Sequence, residues 1–127
     1  MQCLKFKKGI SKMNDYKLLK RIFTNFTVDD EKIPVEYIKY KGKKKTYVTY
    51  TFTDDDPKLF GEDKEIGSVI AVDIDIYSDG NYLAIQDAIE TLMEDNDFIR
   101  TGCSPDMYED DTGLFHKTIE FEKERMR

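Results

Sequence analysis

A chain of 127 residues with 36% charged and 39% hydrophobic side chains is polar, but its 8 Tyr and 8 Phe supply enough bulk for one compact domain. Its net charge of -6 argues against tight, sequence-independent DNA binding, which needs clustered cations. The longest apolar run, 69–72, is too short to cross a membrane, and the basic first residues lack the apolar core of a secretory signal. Two cysteines, Cys3 and Cys103, and the single His116 are too few for a disulfide framework or a zinc finger.

The first dozen residues show no hydrophobic period. Lys8-Gly9 require purine-rich codons shortly before that of Met13, similar to a bacterial ribosome-binding site. Residues 1–12 are therefore read as an unstructured extension or as sequence upstream of a true start at Met13, and 13–127 as a single α+β domain. Leu18, Leu19, Ile22, Phe23 and Phe26 recur at three- and four-residue spacing, which predicts a helix over 14–26 with Lys17, Lys20 and Arg21 on its other face. A short strand is expected over 33–40, with Pro34 at its start or on a sheet edge, then a turn around Gly42. Over 47–53, β-branched and aromatic residues alternate: Val48, Tyr50 and Phe52 share one face, Thr49, Thr51 and Thr53 the other.

The acidic stretch 54–65, with Pro57 and Gly61, reads as a loop in which Leu59 and Phe60 are apolar islands. Residues 67–78 form the clearest strand, with Ile70, Val72, Ile74 and Ile76 on one side and Ala71, Asp73, Asp75 and Tyr77 on the other. Ser78-Asp79-Gly80-Asn81 is a turn into a helix over 82–96, whose buried stripe is Ile85, Ala88, Ile89 and Leu92. A strand over 98–103, a loop over 104–113, a strand over 114–121 carrying Phe115, Ile119 and Phe121 on one side, and a charged tail complete the chain. This α-β-β-β-α-β-β order predicts an antiparallel sheet of four to five strands with two helices packed on one face.

Charge is unevenly divided. Residues 1–45 carry 13 Lys/Arg against 5 Asp/Glu, and residues 46–127 carry 7 against 21, giving +8 and -14. Such polarity fits a solvated basic helix and turn, or two surfaces that meet head to tail in an oligomer.

No motif points to catalysis. Asp111-Thr112-Gly113 is the triplet of aspartic proteases, but acidic Glu109-Asp110 before it and bulky Leu114-Phe115 after it are the wrong flanks; a turn into the last strand explains the same residues. Asp73, Asp75, Asp79 and Gly80 match a calcium loop only in part: the glycine position holds Ser78 and the twelfth position Ala84. Asp54-Asp55-Asp56 reads as a hydrated cluster. His116 has no nucleophile beside it in the chain, lies opposite the apolar side of its strand, and is expected at a surface or interface. No phosphate loop or dinucleotide fingerprint is present, so no catalytic, cofactor or metal residue is assigned.

Three stretches carry a resemblance: Tyr47-Val48-Thr49-Tyr50-Thr51-Phe52, Val72-Asp73-Ile74-Asp75-Ile76-Tyr77-Ser78-Asp79-Gly80-Asn81-Tyr82, and Tyr108-Glu109-Asp110-Asp111-Thr112-Gly113-Leu114-Phe115-His116-Lys117. In them the chain resembles the tail-completion, or tail-terminator, proteins of long-tailed bacteriophages and prophages. Those proteins share a strand ending in a Tyr-Ser turn before a helix, then an acidic turn opening the last strand; Phe115 stands where they more usually have Tyr. The resemblance implies a non-enzymatic structural protein forming a ring, typically of six copies, that stops the tail tube growing and docks the head connector. Its partners would be itself, the tail-tube protein, the connector or neck protein, and phage DNA passing without specific binding. Its location would be the host cytoplasm during assembly and then the tail neck of the virion.

Within such a ring, Asp54, Asp55, Asp56, Leu59 and Phe60 are expected as a mobile loop that orders against a neighbour or the tube. Asp73 and Asp75, left in water in a monomer, are expected to line the lumen and repel passing phosphates. Two other readings remain: an acidic phage accessory protein that mimics DNA to inhibit a host nucleic-acid enzyme, and another component of the head–tail neck.

Overall fold

A computed structural model describes residues 12–61 and 64–126. Among these lie α1 (Lys12–Ile22), β1 (Thr27–Val28), β2 (Glu31–Lys32), β3 (Val35–Tyr37), β4 (Tyr47–Gly61), β5 (Lys64–Ser78), α2 (Leu83–Asp95), β6 (Ile99–Cys103), β7 (Met107–Glu109) and β8 (Leu114–Met126). The class is α+β. The main sheet has six strands in the order β3-β4-β5-β8-β6, with β7 also on β8, and β1-β2 form a separate two-stranded ribbon.

Strand β5 is the centre of the sheet. It pairs antiparallel with β4 on one side and β8 on the other, so Ile74 lies between Tyr50 and Ile119, and Val72 between Phe52 and Phe121. Side chains alternate across a strand, and the even row, Ile70, Val72, Ile74 and Ile76, is wholly buried. Each such side chain contributes about 1.5–3 kcal/mol by leaving water. Both helices cover this row: Leu19 of α1, with Phe23 just beyond its end, and Ile85, Ile89 and Met93 of α2 join it in one cluster. Phe52, Ala88 and Leu92 pack at its margin, while Met93, absent from the expected stripe, is fully buried.

Helix α1 stops at Ile22, short of the expected Phe26. Thr24 Oγ1 donates to the Lys20 carbonyl at 2.8 Å, and Asn25 adopts φ +58, the left-handed turn that ends helices. Phe26 nevertheless reaches the core, edge-on to Phe23 at 5.5 Å between centroids.

The expected all-antiparallel sheet of four to five strands is corrected. Strand β3 covers only 35–37 of the expected 33–40 and runs parallel to β4, Val35 opposite Val48 and Tyr37 opposite Tyr50. It ends because Ile38 has φ +67, a conformation β-branched residues rarely adopt. Met107–Glu109 adds a strand inside the expected 104–113 loop, too short to show an alternation in sequence.

The expected acidic loop is also corrected. Backbone pairing continues from Asp54 opposite Ala71 to Gly61 opposite Lys64, with register shifts at Phe52/Asp54, Asp56/Leu59 and Leu59/Phe60. Pro57 falls within one of these irregularities, where a missing N–H is tolerated. Beyond residue 50, β4 has no strand on its outer side among the described residues, and charge and proline are common devices on such edges. The expected charged tail likewise continues β8 to Met126, which pairs with Gly67. No described helix is long and apolar enough to cross a membrane.

Ile74→Ala should cost about 2–5 kcal/mol, from lost transfer energy plus a cavity. Chemical denaturation reads this as a lower midpoint with an unchanged slope. An unchanged midpoint would place Ile74 outside the core.

Candidate functional site

With both helices on the even face, the other face of the sheet is where sequence-assigned polar groups gather. Cross-strand register brings Thr49, Asp75 and Thr118 into one row, and Thr51, Asp73 and Glu120 into the next. Glu122 and Glu124 follow on β8 opposite Ala71 and Val69, and Glu36 on β3 lies opposite Thr49. The paired strand positions of this face therefore carry a strip of carboxylates.

Rings order the end of the face near the β5 turn. Tyr40, Tyr47, Tyr77 and His116 form a continuous stack, with successive centroids 4.5, 4.8 and 4.2 Å apart and planes within 25°. Aromatic pairs of this kind add about 0.5–1.5 kcal/mol each beyond their buried area. Tyr40 is held by the 38–46 connection: its hydroxyl accepts from the Lys44 N–H at 3.0 Å, and its ring lies where any side chain at Gly42 would project. Burial, followed by the nearby charges of Asp75, Tyr47 and Glu109, pushes the Tyr77 hydroxyl up to about 12.

Asp75 anchors the stack. Its Oδ1 accepts from Thr118 Oγ1 at 2.5 Å and lies 3.0 Å from His116 Nε2, while His116 Nδ1 is 3.6 Å from Glu109 Oε2. A carboxylate accepts only, so Nε2 is the protonated nitrogen in the Asp75 contact. Asp73 has a different setting. Burial, then Glu120 and then Asp75, raise its carboxyl above the ordinary carboxylate range. Like charges directly opposite one another are destabilising, and Glu120 extends along the edge strand beside Gly102.

Two turns frame the face. Ser78 Oγ accepts from Gly80 N–H at 3.1 Å, and Asn81 Oδ1 accepts from Leu83 N–H at 3.0 Å at the start of α2. The aspartic-protease triplet is the hairpin turn between β7 and β8: Gly113 takes φ +71, its N–H reaches the Glu109 carbonyl at 2.8 Å, and Thr112 Oγ1 donates to Glu109 Oε1. Among the described residues no cluster of His, Cys, Asp and Glu is arranged to hold a metal ion.

The expected site residues thus separate. Asp73 and Asp75 share one face but are half-buried rather than left in water, and Asp75 is bonded within the protein. His116, expected at a surface or interface, is half-buried in the ring stack on this face. The side chains of Asp54, Asp55, Asp56, Leu59 and Phe60 lie outside the described residues. Sequence reasoning missed Tyr40, Tyr47, Tyr77, Glu109 and Glu120 as parts of the site. Alternation placed Tyr77 on the polar face, but only the register between strands stacks it on Tyr47 and His116. No family model matches the chain, and a search of the curated proteins finds no match.

Opposite outcomes are expected for the two aspartates. Because the folded-state pKa of Asp73 is raised, its ionisation opposes folding: the penalty is complete at neutral pH and fades as pH falls through the raised value toward the ordinary one. Asp73→Asn should therefore raise Tm at pH 7, with the gain shrinking toward pH 4. Asp75→Ala strands the Thr118 hydroxyl and His116 and should cost about 1–3 kcal/mol. Thermal melts of both variants across pH 4–8 check this; a lowered Tm for Asp73→Asn at pH 7 would contradict it.

Proposed function

We propose that the protein is a structural component of a long-tailed bacteriophage or prophage, a ring that caps the tail tube and joins it to the head connector. The observation that supports this reading best is the carboxylate strip of the helix-free sheet face, Glu36, Asp73, Asp75, Glu120, Glu122 and Glu124. Facing a channel, such a wall repels DNA phosphates and lets the duplex pass without sticking. The three stretches that resemble tail-completion proteins meet on this same face, contributing Tyr47, Tyr77, His116, Glu109 and Asp75 to one network. In this reading Asp73 and Asp75 belong to the lumen wall. Asp54, Asp55, Asp56, Leu59 and Phe60, on the outer strand of the β4–β5 hairpin, belong to contacts with a neighbour or the tube.

The partners of this reading are other copies of the chain, six in the assembled tail, with the tail-tube protein below and the connector or neck protein above. Assembly takes place in the bacterial cytoplasm, and the finished ring sits in the tail neck of the virion. The acidic strip also favours a second reading, a DNA mimic that occupies a host nucleic-acid enzyme. Native mass separates the two, since a mimic acts as a monomer or dimer.

Particles assembled without this protein should show filled heads lacking tails and tail tubes of uncontrolled length in negative stain. Normal joined particles would refute the proposed role.

A further inference from the structure

The strand order leaves two dissimilar edges. At one, β3 and the 38–46 connection expose Tyr37 (43%) and Ile38 (58%) among five exposed lysines, Lys39, Lys41, Lys43, Lys44 and Lys45. Ile38 is held outward by a tight turn: the Lys39 N–H returns to the Tyr37 carbonyl at 2.7 Å about a φ of +67. Left-handed backbone at a β-branched residue is strained, and such strain gathers at binding and switch sites. Beside it opens a groove of about 680 Å³, walled by Tyr37, Tyr40 and Tyr50 and bordered by three lysines, Lys20, Lys32 and Lys44, against one carboxylate, Glu36.

At the other edge, β7 and the start of β8 present a projection instead of a groove. Tyr108 (56% exposed) packs edge-on to Phe115 at 5.1 Å, Phe115 lies 6.0 Å from Tyr82, and Met107 is exposed beside them. This aromatic knob is ringed by acid: Asp106, Asp110 and Asp111 are exposed and Glu109 half-buried. Tyr82 and Lys117 both bond to Asp106 and hold its carboxyl below the usual range. Lys117 is thereby occupied within the patch.

We infer that these two edges bind each other between copies of the chain, the Tyr108/Phe115 knob of one copy entering the lysine-bordered groove beside Tyr37 and Ile38 of the next. An aromatic anchor in a pocket, surrounded by complementary rim charge, is the usual composition of a specific interface. The charge of the two edges is opposite in sign, so like edges repel and unlike edges attract, which selects head-to-tail over two-fold pairing. Copies joined in this way place the two sheet faces on the inner and outer walls of a closed assembly. The inference rests on the ring reading and adds which surfaces meet and what chemistry joins them.

The test uses two charge reversals of the full chain, Lys43→Glu with Lys45→Glu, and Asp110→Lys with Asp111→Lys. Circular dichroism checks that each variant is folded, and Tyr108→Glu probes the same contact without altering the hairpin turn. Native mass spectrometry and light scattering should find wild type associated, each of the three variants at least tenfold weaker, and a 1:1 mixture of the two reversals restored, because every contact in an alternating assembly is then between opposite charges. Association of the wild type should also weaken with salt. Variants that associate like wild type, or a mixture that does not recover, would overturn this interface while leaving the ring reading in place. A wild type that stays monomeric at high concentration with tail tubes present would overturn both.

Discussion

Strand β5 must satisfy two opposite environments at once, and the remainder of the molecule is arranged around that demand. Flanked by β4 and β8, it is paired on both sides from Val69 to Tyr77, so both of its faces are committed by register. The Ile70/Val72/Ile74/Ile76 row draws both helices onto one side because only burial stabilises it. The Asp73/Asp75/Tyr77 row is thereby fixed on the other side. A slip of one residue would exchange the rows and place carboxylates in the core, at a cost no other contact here could offset.

That commitment explains why the polar face is costly as well as ordered. Asp75 is compensated by Thr118 and His116, and the ring stack locks Tyr47, Tyr77 and His116 across three adjacent strands. Asp73 is not compensated: its carboxyl faces Glu120 across the strand and is pushed toward the neutral form. Folding alone would favour Asn or Thr there. The Asp73 charge therefore adds to the negative potential of this face at the expense of stability.

The sequence disclosed what depends on local period and left out what depends on partners. Alternation in 67–78 identified the buried and polar rows of β5 before any register was known, and three- and four-residue spacing found both helices. The parallel pairing of β3 was invisible, because three residues carry no signature of direction and the strand is ended by Ile38 at φ +67. The 54–65 stretch hides its pairing for a related reason: acidic residues and Pro57 suggest a loop, yet an edge strand with bulges accommodates both. At the site, Asp73 and Asp75 were legible as neighbours on one face. The ring stack was not, since Tyr40, Tyr47, Tyr77 and His116 come from four separate segments whose registers bring them together.

Charge polarity acquires a structural meaning from the strand order. The lysine-rich connection 38–46 and the acidic β7–β8 hairpin occupy opposite edges of one sheet, while the carboxylate strip occupies the face between them. The measurement that tests the account most directly is a cryo-electron microscopy map of the wild-type assembly at side-chain resolution. The account predicts Asp73, Glu120 and Glu122 on the channel wall and the helices outside. A map with the helices lining the channel, or with the carboxylate strip on the outer surface, would contradict it.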